Sequence, residues 1–212
     1  MKKLDFIYDR VSVRSYTEED VLKEDIINII KAGTYAPSGK NMQNWHFVVI
    51  RNKNKVNNIA KIVKNKGYEL IEKMTDCEIK TSFKKMLPYY TAFEGAPVLI
   101  LVYASSCSNV EYDVLNLIKS SEEDKKKALF ANPAIQNIGA AMENILLASS
   151  ALGYGTCWMV GPIFAREEIK NYIGFDKEGF ELVCMTPLGV PSDKKHLRPK
   201  RKPIKEVISF ID

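Results

Sequence analysis

Apolar residues recur at helical spacing through Ile26, Ile29, Ile30 and Gly33, and Glu24 and Asp25 fall in the first turn of the helix this predicts, where the helix dipole favours negative charge. The period then changes. Residues 45–51 (WHFVVIR) are aromatic and β-branched, follow an Asn-rich turn, and predict a strand. Helical spacing returns at Val56, Ile59, Ala60 and Val63, and a further helix is expected over part of residues 69–87. After Pro97 the run VLILVY offers no polar position, the signature of a strand buried on both faces. The strongest helical pattern covers residues 133–152, with Ile135, Ile138, Met142, Ile145, Leu146, Ser149 and Leu152 on one face, proline at the first position and Gly153 past the end. Residues 156–160 predict a short strand, 166–173 a helix stopped by Gly174, and 181–188 another strand. Beyond Gly189 come Pro191, Pro199 and Pro203 and then an apolar stretch, 204–208, too short to bury itself locally; it is expected to join a sheet or wrap a partner. The sum is an α/β mixture, helices covering a sheet of about four or five strands.

Composition narrows the class without naming a function. The 212 residues are 46% apolar and 27% charged, which excludes collagen, low-complexity disorder and a disulfide-stapled miniprotein. No repeat or Gly/Ser linker divides the chain, so residues 1–212 are expected to form one domain. Its longest apolar runs fall short of the ~20 residues that cross a bilayer, and Asp5 interrupts the amino terminus before a signal core develops. Cys77, Cys107, Cys157 and Cys184 lie too far apart for a zinc site or a redox CxxC pair. A cytoplasmic location with free thiols is expected.

The formal charge of +5 is local. Residues 194–205 hold Lys194, Lys195, Arg198, Lys200, Arg201, Lys202 and Lys205 with no acid between them. Without those seven, the 31 basic side chains fall slightly below the 26 acidic ones. Such a cluster beside two prolines suits one small anion better than a nucleic-acid footprint; the bland alternative is a solvated tail.

Several familiar motifs fail. Gly33 to Asn41 resembles a phosphate loop but has five residues between its glycines and Asn41 where a magnesium-binding hydroxyl belongs. Gly153-Tyr-Gly155-Thr-Cys-Trp158 lacks the third glycine of a dinucleotide fingerprint and ends a helix instead of opening one. His46 and His196 are the only histidines, and neither lies near a nucleophile elbow. Hydrolysis and metal catalysis are therefore not expected, and a reactive atom would come from an organic cofactor.

Three polar constellations remain. In Arg10-Val11-Ser12-Val13-Arg14, extended backbone points Arg10, Ser12 and Arg14 to one side, a good clamp for a phosphate or polar ring. The turn Ala36-Pro37-Ser38-Gly39-Lys40-Asn41-Met42-Gln43-Asn44-Trp45 carries more hydrogen-bonding groups than a plain connection needs. The third is the basic tail, where Arg198, Lys200 and Arg201 reach a phosphate.

These blocks, with the helix ending Leu152-Gly153-Tyr154-Gly155-Thr156-Cys157-Trp158 and with Pro187-Leu188-Gly189 before Lys200-Arg201-Lys202-Pro203, resemble in order and separation the nitroreductase family of FMN-dependent oxidoreductases. The resemblance spans almost the whole chain. It implies an α+β fold with a central, mostly antiparallel sheet flanked by helices, in an intertwined homodimer with exchanged carboxyl-terminal tails and FMN at the subunit interface. It assigns Arg10, Ser12 and Arg14 to the phosphate, ribityl chain and polar ring edge. Pro37, Ser38, Gly39, Asn41 and Gln43 become a loop contributed by the opposite subunit. Trp158, Met159, Val160 and Gly161 run along the isoalloxazine, and Lys200 and Arg201, with Arg198 assisting, grip the phosphate. NAD(P)H is the implied donor, and a nitroaromatic, quinone or similar small molecule the acceptor, in ping-pong order; no side chain acts as nucleophile, and Arg14 lends electrostatic support. A flavin-binding sensor or carrier would use the same ligands. Two departures stand out: Asn44 replaces a proline common in the family, implying a less rigid start to the strand, and residues 88–95 lack the Asn and Lys that touch flavin in many members. Residues 104–130 fall where the family varies, as a lid over the flavin or as a plain surface excursion.

Overall fold

The computed structural model describes residues 3–107, 109–192 and 198–211. Lys194, Lys195 and His196 of the basic tail lie outside the described residues. Four strands form one antiparallel sheet in the order β1-β2-β4-β3: β1 (Trp45–Ile50), β2 (Val98–Ser105), β3 (Gly155–Thr156) and β4 (Phe180–Gly189). The fold is thus α+β, and β1 is an edge strand.

β2 explains the position of the core. Its pleat sends Val98, Ile100, Val102 and Ala104 to one face and Leu99, Leu101 and Tyr103 to the other, and all seven are buried. On the first face lie α2 (Lys23–Thr34) and α7 (Pro133–Ala151), which bury Ile26, Ile29, Ile138, Met142 and Ile145 against the sheet. On the second lie α3 (Lys53–Lys73) and α8 (Arg166–Ile173), through Val56, Ile59, Val63 and Ile169. Each such side chain contributes roughly 1.5–3 kcal/mol by leaving water. The remaining helices are α1 (Asp5–Asp9), α4 (Glu78–Tyr90), α5 (Val110–Leu117) and α6 (Glu122–Ala131).

The structure departs from the sequence pattern at several points. Residues 69–73 complete α3 and do not open a new helix; the chain breaks at Met74, and α4 starts after Cys77, whose thiol accepts from the Lys80 N–H at 3.5 Å. The strand expected at 156–160 is present only as β3. Met159 still exchanges both backbone bonds with Met185 at 2.9 Å, in the register that β3 sets with β4. Between them the ladder is interrupted because Pro187 has no N–H and the Thr186 hydroxyl takes the Cys157 N–H instead, at 3.2 Å. Residues 104–130 contain α5 and α6. The apolar stretch at 204–208 joins no strand of its own chain; it forms a short turn, Ile204–Glu206, with Ile204, Val207 and Phe210 73%, 61% and 81% exposed.

His46 belongs to the sheet's edge chemistry. Its ring stacks on Phe175 with centroids 5.1 Å apart, and Lys177 Nζ donates to Nδ1 at 3.3 Å. Burial first, and then the Lys177 ammonium, hold the imidazole below its ordinary value of 6.5. The unfolded chain therefore takes up this proton first as pH falls, so the stabilisation is complete above the unfolded value and is lost as pH drops through it toward the folded one. Between pH 7.5 and 5 the melting temperature is expected to fall less in His46→Phe, which keeps the stack, than in the parent; parallel pH profiles would contradict this.

Candidate functional site

The amino-terminal segment is laid beside the sheet. Arg10 leaves α1 in extended conformation, Ser12 pairs with Thr156 in a parallel bridge, and the Val13 N–H donates to the Thr156 carbonyl at 2.8 Å. Val13 points inward against Gly155, where an added Cβ would come within 2.6 Å of the valine's own Cβ. The Tyr16 hydroxyl closes the turn by donating to the Val13 carbonyl at 2.6 Å. Burial, helped by Cys157 and opposed by Arg14, raises the Tyr16 pKa, so it stays a neutral donor.

With Val13 fixed inward, Arg10, Ser12 and Arg14 line a cavity of about 660 Å³. Arg198 and Arg201 arrive at the same cavity from the other end of the chain. Arg198 Nη1 donates to the Tyr8 carbonyl at 2.8 Å and Nη2 lies 3.6 Å from the Asp9 carboxylate, so this residue ties the tail to α1. Lys200 does not line the cavity. Of the three tail candidates, Arg201 is thus the one left facing the cavity without an ion-pair partner among the described residues.

Glu143, which the sequence reading missed, also faces the cavity, with Oε1 3.8 Å from Arg10 Nε. A signal existed, since it is the single charged residue of α7. The Cys157 thiol, buried in the core, is raised in pKa by burial, against the opposing influence of Arg14, Ser12 and Arg10. It is a neutral core group and not a nucleophile.

The segment after β3 alternates: Cys157 and Met159 point into the core, while Trp158 and Val160 are 38% and 52% exposed. Trp158 spans toward α7 at Gly139, and Gly161 lies directly against the Tyr90 ring. Tyr90, from residues 88–95, therefore backs this segment at Gly161. Pro37, Ser38, Gly39, Asn41 and Gln43 do not line the same chain's cavity; they form a separate projecting turn after α2, in which Ser38 Oγ accepts from the Gln43 N–H at 3.0 Å. Asn44 does not loosen the start of β1. It is buried, and its amide donates to the Ser105 carbonyl at 2.9 Å and the Ala134 carbonyl at 3.3 Å.

Residues 7–190 match the model of the nitroreductase family. The chain belongs to the nitroreductase family. A relative from Archaeoglobus fulgidus, provisionally named an NADH dehydrogenase/NAD(P)H nitroreductase, is 30% identical over 91% of this chain and 87% of its own. An iodotyrosine deiodinase of Hydra vulgaris is 29% identical over 96% of this chain and 70% of its own. Among solved structures, a BluB-like flavoprotein from Clostridium difficile 630 superposes with a TM-score of 0.91 and 37% identity, each chain covered in full. An FMN-bound nitroreductase from Bacteroides fragilis, at 22% identity and a TM-score of 0.70, shares the fold over the full length of both chains. Within this family fold, the two chain ends meet at the arginine-lined cavity.

Proposed function

We propose that the chain is an FMN-dependent oxidoreductase that takes reducing equivalents from NAD(P)H and passes them to a nitroaromatic, quinone or similar small acceptor, donor and acceptor using one position in turn. The cavity carries this reading. Arg10, Arg14 and Arg201 face it against one carboxylate, Glu143, a donor set suited to a phosphate that holds close to two negative charges at neutral pH. Its volume of about 660 Å³ lies in the range of small-molecule sites. The name of the Archaeoglobus protein supports the nucleotide donor and the nitro acceptor, and that of the Clostridium protein supports the flavin.

Bound FMN supplies reversible two-electron chemistry at N5. The chain's part is to hold and polarise it: Arg201 and Arg10 meet the phosphate, Ser12 the ribityl hydroxyls, and Arg14 places a fixed positive charge at the polar edge of the ring. Residues 158–161, which do not line the cavity of their own chain, would run along the ring, their backbone fixed by the Met159–Met185 bridge.

We assign the loop at 37–43 to the cavity of a second copy. The homodimer reading is supported by the open edge of β1 and by the exposed apolar tail, which suits that edge or the hollow of about 510 Å³ lined by Val48, Ile50, Lys55 and Ile173.

The purified protein is expected to be yellow and to bleach on anaerobic addition of NADH or NADPH. In stopped flow, Arg14→Ala is expected to slow bleaching more than it weakens FMN retention. A colourless protein that refuses added FMN overturns the reading. A yellow protein that neither nucleotide bleaches is a flavin carrier or sensor.

A further inference from the structure

The projecting loop is held from behind by two buried amides. Asn44 and Asn137 are 3% and 6% exposed. Asn137 Nδ2 donates to Asn44 Oδ1 at 2.9 Å and also reaches Cys107 Sγ at 3.7 Å. Asn44 Nδ2 donates to the Ser105 and Ala134 carbonyls. The last acceptor, Asn137 Oδ1, takes the backbone N–H of Gly39 at 3.0 Å. Both amides are fully used, as buried amides must be, and the pair directs one bond outward to an exposed loop.

That loop needs an external hold. Lys40, Asn41 and Gln43 sit at φ of 54°, 54° and 45°, the left-handed region that side chains other than glycine disfavour. Such backbone persists only where its surroundings over-determine it. Within the loop, Ser38 Oγ accepts from the Gln43 N–H, and Gln43 Nε2 donates to Asn41 Oδ1 at 3.1 Å. Both bonds shape the turn but neither ties it to the body of the protein. The Gly39 N–H to Asn137 bond does, and Asn137 is carried by α7, the same helix that presents Glu143 to the cavity.

The geometry points to Asn137 as a positioning residue for the loop at 37–43: through the Gly39 N–H it holds the left-handed turn that presents Ser38, Asn41 and Gln43 to FMN, while Asn44 fixes Asn137 itself. This inference rests on the flavin reading above. It gives Asn44 a role that the proline common at that position has no side chain to perform.

Gly39→Pro removes the donor, and the ring Cδ, standing where the N–H pointed, presses on Asn137 Oδ1 unless Asn137 is shortened as well. Gly39 opens a short 3₁₀ turn after an extended Ser38 (φ −140°, ψ 144°), a setting that accepts proline, and space around its Cβ position is open. FMN titrations of Asn137→Ala, Gly39→Pro and the double variant are expected to show about ten-fold weaker binding in each single variant. The double variant is expected to be no weaker than the weaker single, because both changes remove one shared bond. Hydrogen exchange at residues 40–43 of the apoprotein is expected to quicken in both, and the double variant is expected to melt no lower than Asn137→Ala, because the proline ring meets no Oδ1 once Asn137 is shortened. Unchanged FMN affinity and exchange, or fully additive losses, overturn the proposal; Gly39→Pro decides alone if Asn137→Ala does not fold. Arg201→Ala separates the two levels. If it too leaves FMN affinity unchanged, the cavity reading fails; if it weakens binding while the loop variants do not, only the positioning role fails.

Discussion

A chain ended at Ser192 is expected to fold and to lose FMN. Among the described residues the buried core has its last member at Leu188, so the deletion takes none of its side chains out of either face of the sheet. It does remove Arg198 and Arg201 from the cavity. Charge-assisted hydrogen bonds contribute roughly 1.5–3 kcal/mol each, so losing the one that Arg201 supplies weakens binding by about ten- to a hundred-fold, with the anchoring of the tail by Arg198 lost beside it. Fluorescence titration with FMN measures the affinity, and circular dichroism confirms the fold. Parental affinity would show that the tail is not the phosphate grip. The same material tests assembly: sedimentation is expected to show a monomer, and a dimer of undiminished strength would dismiss the exchanged tail.

Gly155→Ala is expected to damage stability and site together. A methyl group there would stand 2.6 Å from Val13 Cβ and 2.7 Å from both its γ-carbons. A β-branched, buried neighbour has no flexible end to move aside, and Val13 is further tied by its bond to the Thr156 carbonyl. Relief requires lifting residues 12–14 off the sheet. Overpacking of this kind costs about 1–3 kcal/mol, and at this chain length each kcal/mol lowers the melting temperature by about 2–4 °C. Arg10, Ser12 and Arg14 move with the segment, so FMN affinity is expected to fall in the same variant. Normal stability with normal FMN binding would mean the backbone approach is looser than described.

What the sequence disclosed followed from period and punctuation. β2 was legible because no polar residue interrupts it, and α8 because Gly174, at φ 67°, stops it. α5 and α6 were obscure because they are short and bury little, although each carries a legible start: Asn109 and Ser121 cap them by accepting from Tyr112 and Asp124 N–H groups. Strand alternation pointed to Arg10, Ser12 and Arg14 sharing a side, and all three line the cavity, although Val11 between them lines it too. Nothing local distinguished Arg201 from Lys200, since that depends on how Arg198 fastens to α1. Asn137 and Glu143 were missed because a single polar residue in an apolar helix has no periodic signature. Asn137 acquires its meaning from Asn44 and Gly39, far away along the chain.

Cavity walls drawn from residues 7–14 and 198–201 also impose an order on biosynthesis. The second wall leaves the ribosome after every strand is already available, so the nascent sheet assembles around an unfinished hollow. Cleavage after Ser192 would part the second wall from the sheet without breaking a strand, which makes cofactor retention an earlier casualty of proteolysis than structural integrity.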